Sequence, residues 1–157
     1  SSDGKTLYSI ADEGVVSFRI LQNGALARLN SAPIRGMRGC HLCSDAEDKY
    51  VFVSGYHDGK TTVLSLNEDG SVGEIVDGVF DKGYGSVAER NFRSHVTCTR
   101  RMPDGRYVLS VDNGTDQVKV YRFNEKDKNL VQVDAITATW SPRQDISATA
   151  RTAVSST

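Results

Sequence analysis

Long apolar segments are missing from this sequence of 157 residues. A membrane-spanning helix needs about 20 consecutive apolar residues, and no run approaches that length, so we predict no membrane partner. Nothing at the start has the pattern of a secretory signal peptide. The chain begins Ser1-Ser2-Asp3-Gly4 without an initiator methionine, and we interpret it as an internal stretch of a longer protein.

A surplus of charge of one sign is also lacking. The 19 Lys and Arg residues nearly balance the 20 Asp and Glu residues, and the formal net charge is −1. A domain that binds nucleic acid normally carries a basic surface, which this composition does not supply. We therefore predict that nucleic acid is not a partner.

Cysteine is scarce, and the three present cannot all pair with one another. Without an export signal, reduced thiols in a cytoplasmic protein are the simplest interpretation. Cys40, His41 and Cys43 have the spacing of metal ligands, but a structural zinc site needs four such groups and the sequence has no second cluster. We predict thiols buried in a sheet and no metal or other cofactor.

No segment has the periodicity of a helix, and what the sequence contains instead is a repeat. Each copy has a strand rich in β-branched and aromatic residues, a polar turn, a second strand of alternating character and another turn. The polar turns at 12–14, 57–59 and 113–116 contain residues that tolerate positive φ. The copies align at residues 4–9, 48–53 and 105–110, then at 15–20, 61–66 and 118–123, then at 23–26, 69–72 and 128–130.

The spacing of the copies predicts the fold. Phe18, Leu64 and Tyr121 are equivalent positions, 46 and then 57 residues apart. Repetition of a four-stranded antiparallel unit at this spacing is typical of a β-propeller. A sandwich of hairpins is the alternative, but it needs no such regular copies. We predict an all-β propeller with about three blades present, whose open faces would be covered by missing blades of the same propeller.

The second spacing is longer than the first because of a polar loop before the third copy. Within seven residues this loop has Glu89, Arg90, Arg93 and His95. Histidine exchanges protons near neutral pH, and arginine pairs with anions or stabilises an oxyanion. A solvated polar loop in which Glu89 and Arg90 merely pair with each other is the alternative. Loops that interrupt a regular array often serve a binding face.

Several motifs resemble those of a known family. Residues 89–95 (ERNFRSH), followed by 102–107 (MPDGRY), are similar to an acidic-Arg-Gln motif with Pro-His-x-His and then Ser-Pro-Asp-Gly. Residues 39–42 (GCHL), 111–118 (VDNGTDQV) and 141–143 (SPR) are similar to three further motifs of the same family. On these motifs the chain resembles the lactonase family of seven-bladed β-propellers, which includes propeller-type 6-phosphogluconolactonase and carboxymuconate cyclase.

The resemblance implies a hydrolase that acts on a small, anionic lactone, with 6-phosphogluconolactone of the pentose phosphate pathway as the expected substrate. It implies catalytic roles for His95, Glu89 and Arg90. His41, Arg143 and Arg93 are expected to bind substrate. Lactonisation or cycloisomerisation of a muconate-type acid, and a non-catalytic propeller that binds a ligand or protein, are the alternatives.

The departures from the family pattern concern the same loop. Asn91 stands where Gln is usual, Ser94 stands where Pro is usual, and Thr97 stands where a second histidine would be. The pattern covers residues 1–143, which we assign to the partial propeller. Residues 144–157 form an atypical tail of weak hydrophobicity, which local disorder or a shifted reading frame would explain.

Overall fold

A computed structural model describes residues 1–12, 14–85 and 92–138, and these form three antiparallel sheets without a helix. No helix in this part of the chain could therefore cross a membrane. The first sheet contains β1 (Thr6–Ala11), β2 (Gly14–Ile20) and β3 (Leu26–Ala32). The second contains β4 (His41–Ser44), β5 (Tyr50–Gly55), β6 (Lys60–Leu66) and β7 (Val72–Phe80). The third contains β8 (Val96–Arg101), β9 (Tyr107–Asp112), β10 (Gln117–Asn124) and β11 (Asn129–Thr137).

Each sheet is a meander in which consecutive strands pair, as in a propeller blade. The second and third sheets have four strands in the orders β4-β5-β6-β7 and β8-β9-β10-β11, which confirms the predicted unit. The first sheet has three strands, β1-β2-β3, and within the described residues it has no counterpart of β4 or β8. The predicted tail, residues 144–157, lies outside the described residues.

The strand register confirms the predicted repeat. Phe18, Leu64 and Tyr121 each pair with a residue of the preceding strand at the same place in the register. The pairs are Leu7↔Phe18, Val51↔Leu64 and Val108↔Tyr121. A β-bulge lies immediately before the same position in all three sheets, at Ser17/Phe18, Val63/Leu64 and Val120/Tyr121. Bulges increase local twist, so the extra twist is expected at the same position in the three sheets.

The core lies in two layers, one on each face of the second sheet. Val51 and Val53 of β5 belong to the cluster shared with the first sheet, and Tyr50 and Phe52 belong to the cluster shared with the third. All six residues of β5 are buried, because side chains alternate across a strand and both faces are covered. Of the aromatic residues that recur with the repeat, Phe52, Tyr121 and Phe123 are buried, while Tyr8, Phe18 and Tyr107 are partly exposed.

Because consecutive strands run in opposite directions, the described candidate residues His41, Arg93 and His95 all lie at one end of the sheets. The ends of β5, β7 and β9 and the starts of β4, β6, β8 and β10 all lie there. We call this the loop end, and its described segments are 33–40, 56–59, 81–85, 92–95 and 113–116. Gly59 and Asp116 lie in the turns of the equivalent hairpins. Both have positive φ, at 62° and 53°, which agrees with the turns predicted at 57–59 and 113–116.

Candidate active site

The structure describes three of the six predicted site residues. His41 begins β4, and Arg93 and His95 directly precede β8, so all three lie at the loop end. Glu89, Arg90 and Arg143 lie outside the described residues, and their roles stay predictions. Within residues 1–12, 14–85 and 92–138, no group of His, Cys, Asp and Glu side chains could hold a metal ion.

His95 is oriented by the neighbouring sheet. Its ring stacks on that of Tyr56, with centroids 4.5 Å apart and an interplanar angle of 20°. Its Nδ1 lies 2.8 Å from the backbone carbonyl oxygen of Tyr56. Because a carbonyl oxygen can only accept a hydrogen bond, Nδ1 carries the proton in the neutral ring. The lone pair is then on Nε2, to which no described residue donates a hydrogen bond.

The backbone at His95 is held by Asp112, the last residue of β9. One carboxylate oxygen of Asp112 accepts a hydrogen bond of 2.7 Å from the His95 N–H, and the other accepts one of 2.6 Å from Ser94 Oγ. The same carboxylate caps the β9–β10 turn by accepting from the backbone N–H groups of Gly114 and Thr115, at 2.9 and 3.3 Å. His95 is therefore fixed to the turn of its own sheet and to the carbonyl of the adjacent one.

Asp112 is ionised despite its burial. Burial acts to raise its pKa, but the hydrogen bonds from Ser94, the His95 N–H and Lys119 outweigh it and hold the pKa below the ordinary value. Lys119 Nζ lies 3.0 Å from Asp112 Oδ2, and both side chains are almost completely buried.

A second carboxylate lies behind this ion pair. Asp81, which follows β7, is 3.4 Å from Lys119 Nζ and accepts a hydrogen bond from the hydroxyl of Tyr121. Burial raises the pKa of Asp81, and the hydrogen bond from Tyr121 and the charge of Lys119 only partly oppose it. Tyr121, Asp81, Lys119 and Asp112 thus form one buried polar chain between the second and third sheets, which leads to His95.

His41 lies beside the first strand of the third sheet. Its Nε2 is 3.7 Å from Cys98 Sγ, and its Nδ1 is buried without a hydrogen-bond partner among the described residues. Burial and the nearby charge of Arg100 lower the pKa of His41, so the ring is neutral at pH 7.

The lowered pKa of His41 predicts a pH dependence of stability. The unfolded chain takes up a proton on this residue at about pH 6.5, while the folded protein resists it to lower pH. The free energy of unfolding should therefore fall as the pH decreases through about 6.5, and a His41→Gln variant should lose that component. Urea unfolding of the intact protein and the variant from about pH 7.5 to 5.5 measures it. Identical pH slopes for the two proteins would contradict the prediction.

Arg93 and Thr97 lie two residues before and two residues after His95, and their side chains have different environments. Arg93 is exposed, with its guanidinium carbon 5.6 Å from the ring centroid of Phe92, and no ion pair joins it to another described residue. Such a cation is accessible to an anionic ligand. Thr97, at the family's second histidine position, lies at the irregularity between Val96 and Cys98 in β8, and its Oγ1 donates to the Val111 carbonyl at 3.2 Å.

The three cysteines are free thiols. Cys43 is partly buried and lies 3.0 Å from the Thr99 carbonyl oxygen, next to β8. Cys40 is exposed, which corrects the expectation of a buried thiol, because it precedes β4 and lies at the loop end.

Gly114 allows the close approach of the segment that holds His95. A Cβ atom at this position would lie 1.9 Å from the Arg93 carbonyl oxygen and 2.7 Å from the His95 nitrogen. We expect Gly114→Ala to lower the free energy of unfolding by about 1–3 kcal/mol, because the backbone must shift to relieve the overlap. Gly24→Ala is a comparison variant, since the glycine lies in a turn with no atom within 4 Å of the added Cβ, although its φ of 80° adds strain. Urea denaturation measures both, and an unchanged stability for Gly114→Ala would contradict the structure.

Comparisons with known proteins agree with the fold and with the family resemblance. The family described as "Lactonase, 7-bladed beta-propeller" matches residues 1–143. The 6-phosphogluconolactonase of Bacillus subtilis strain 168 is 34% identical over 131 residues, which cover 80% of this chain and 37% of that enzyme. The chain thus spans well under half the length of this curated relative.

Solved structures show the same partial coverage. A protein of Bacteroides fragilis NCTC 9343, described as a candidate 6-phosphogluconolactonase, matches with a TM-score of 0.77 and 29% identity over 88% of this chain and 42% of its own. A periplasmic gluconolactonase of Pseudomonas aeruginosa matches with a TM-score of 0.71 and 23% identity over 85% of this chain and 43% of its own, a likeness of fold alone.

Proposed function

Because the chain belongs to the lactonase family of seven-bladed β-propellers, we propose that the intact protein hydrolyses a sugar lactone, with 6-phosphogluconolactone as substrate. The relative from Bacillus subtilis bears the name of that activity. The observation that carries the proposal is the hydrogen bond between His95 Nδ1 and the Tyr56 carbonyl, which leaves Nε2 with its lone pair at the loop end.

In the proposed reaction, His95 acts as the general base. Its Nε2 removes a proton from a water molecule while the water oxygen forms a bond to the lactone carbonyl carbon. The tetrahedral intermediate then breaks the bond between this carbon and the ring oxygen, and the imidazolium returns the proton to that oxygen. The products are the open-chain sugar acid and, on its ionisation, a proton. General-base catalysis of this kind contributes about 10²–10⁴-fold to a rate.

Cationic and polar side chains would bind the substrate and stabilise its charge. Arg90 and Arg143 are assigned to the oxyanion and to an anionic group of the substrate, and Glu89 is assigned to assist His95. Arg93 supports the binding of an anion because its guanidinium is exposed beside His95 in sequence. His41 is assigned to substrate binding on the family resemblance alone, because the ring nitrogen without a described partner, Nδ1, is buried.

The intact protein should release acid from 6-phosphogluconolactone, measured with a pH indicator and corrected for spontaneous hydrolysis. The unphosphorylated gluconolactone is the matched substrate. A preference for the phosphorylated lactone supports an anion-binding arginine set, whereas equal rates assign the activity to sugar lactones in general. Hydrolysis of neither lactone would contradict the proposal.

A further inference from the structure

The buried polar chain beside His95 has no equivalent in the other two described sheets. The last paired residue before the equivalent turn is Ala11 in the β1–β2 hairpin, Gly55 in the β5–β6 hairpin and Asp112 in the β9–β10 hairpin. The first two are small and uncharged. A buried carboxylate at this position is therefore no requirement of the strand pairing itself.

The partners of Asp112 are exceptional in the same way. The residue equivalent to Lys119 is Val16 in the first sheet and Thr62 in the second. The strand pairs Val16↔Ser9, Thr62↔Val53 and Lys119↔Ser110 establish this equivalence. The position of Tyr121 is occupied by Phe18 and Leu64 in the other two sheets. After β3, the buried Ile34 has the place that Asp81 has after β7.

Burying these charges opposes folding, so a functional role is the reason we infer for their presence. Removing carboxylates and an ammonium group from water carries a desolvation cost that their mutual attraction offsets only in part. The first sheet fills the corresponding positions with apolar or small side chains and packs into the core without them. Local departures from the rules that a fold otherwise follows are expected at functional sites.

The contacts show what this group of charges supports. Asp112 links Ser94 and the backbone N–H of His95 to the β9–β10 turn. Lys119 compensates the charge of Asp112, and Asp81 and Tyr121 hold Lys119 from behind. We propose that Asp112, with Lys119 as its counter-ion, is a positioning residue that fixes the His95 backbone so that Nδ1 meets the Tyr56 carbonyl and Nε2 faces the substrate. This inference rests on the proposed function of His95 as base.

Asp112→Asn tests the proposal in the intact protein. The amide keeps the shape of the side chain, but it presents an N–H group to donors and removes the nearer of the two carboxylates that pair with Lys119. We expect kcat to fall by about 10- to 100-fold while KM changes little, because the base is misplaced and substrate contacts stay. In ¹⁵N NMR spectra, the His95 ring should change from one tautomer, protonated on Nδ1, to a mixture of two.

Asp45→Asn is the matched control. Asp45 is also a buried carboxylate that caps a turn, accepting from the Lys49 and Tyr50 N–H groups at 2.8 and 3.0 Å and pairing with Arg101 at 2.8 Å. It lies at the opposite end of the sheets, where β4 ends and β5 begins. We expect this variant to lose stability but to keep kcat and the His95 tautomer. If both variants change kcat and tautomer equally, the role of Asp112 is structural and the proposal is wrong.

Ser94→Ala is a milder change that keeps the proposal testable if Asp112→Asn does not fold. It removes a single hydrogen bond of 2.6 Å to Asp112. We expect a fall in kcat of about 3- to 10-fold and a measurable fraction of the second tautomer. An unchanged tautomer in Ser94→Ala and in a folded Asp112→Asn would overturn the proposal. The tautomer is measured without substrate, so absence of lactonase activity in the unaltered protein would refute the proposed function and leave this test valid.

Discussion

Replacing His95 by alanine should abolish most of the lactonase activity of the intact protein, with a decrease in kcat of about 10²–10⁴-fold. The side chain is the proposed general base, and Nδ1 is already engaged by the Tyr56 carbonyl, so the ring is held ready to accept a proton on Nε2. His95 is partly exposed and belongs to no core cluster, so stability should change little. Steady-state kinetics with 6-phosphogluconolactone and a urea unfolding curve measure the two effects separately.

His57→Ala is the control for this experiment. His57 lies at the same loop end, is exposed and contacts the edge of the Tyr56 ring, with centroids 5.4 Å apart. It makes no contact with the Asp112 carboxylate and has no proposed part in the reaction. The variant should keep kcat within about twofold, which is the spread expected of a surface change. Full activity in His95→Ala would exclude His95 as the base.

The repeat in the sequence is sufficient to predict most of the fold. Equivalence of Phe18, Leu64 and Tyr121 fixes the register of each hairpin, because a slip of one residue would turn every apolar side chain to the opposite face. The sequence pattern cannot show that the first sheet has three strands, since a missing strand leaves no sign in the copies that remain. Nor does it show that a bulge recurs at the same position.

The site is predictable only in part. The motif at residues 89–95 makes His95 a candidate through its resemblance to the lactonase family, and its catalytic role stays a prediction. Tyr56 went unrecognised because it acts through its backbone carbonyl, which every residue has, and comes from a different sheet. Asp112 also went unrecognised, although its difference from Ala11 and Gly55 was a usable signal once the copies were aligned.

The largest expected effect on stability concerns the buried ion pair. Lys119→Ala removes the counter-ion of Asp112, whose side chain is 0% exposed, and leaves a buried carboxylate unpaired. Breaking a buried pair in this way costs about 3–5 kcal/mol of unfolding free energy. Guanidinium or urea titration of the intact protein measures it. A loss below about 1 kcal/mol, which is the range of solvent-exposed ion pairs, would contradict the prediction.

Replacing the whole set by the residues of the first sheet separates stability from function. The fourfold variant Asp81→Ile, Asp112→Ala, Lys119→Val and Tyr121→Phe removes all three charges together and leaves none unpaired. Exchange of a buried ionic group for packed apolar residues is often neutral or stabilises by about 1–4 kcal/mol. Asp112→Ala also leaves the N–H groups of His95, Gly114 and Thr115 without their acceptor, so we expect this variant to be less destabilised than Lys119→Ala but no more stable than the unaltered protein. Its kcat should nevertheless be as low as that of Asp112→Asn, because Ser94 and His95 lose the same anchor. A stable and fully active fourfold variant would mean that the loop holds His95 without the buried charges, while a variant that is both inactive and unfolded would show that they are required by the fold.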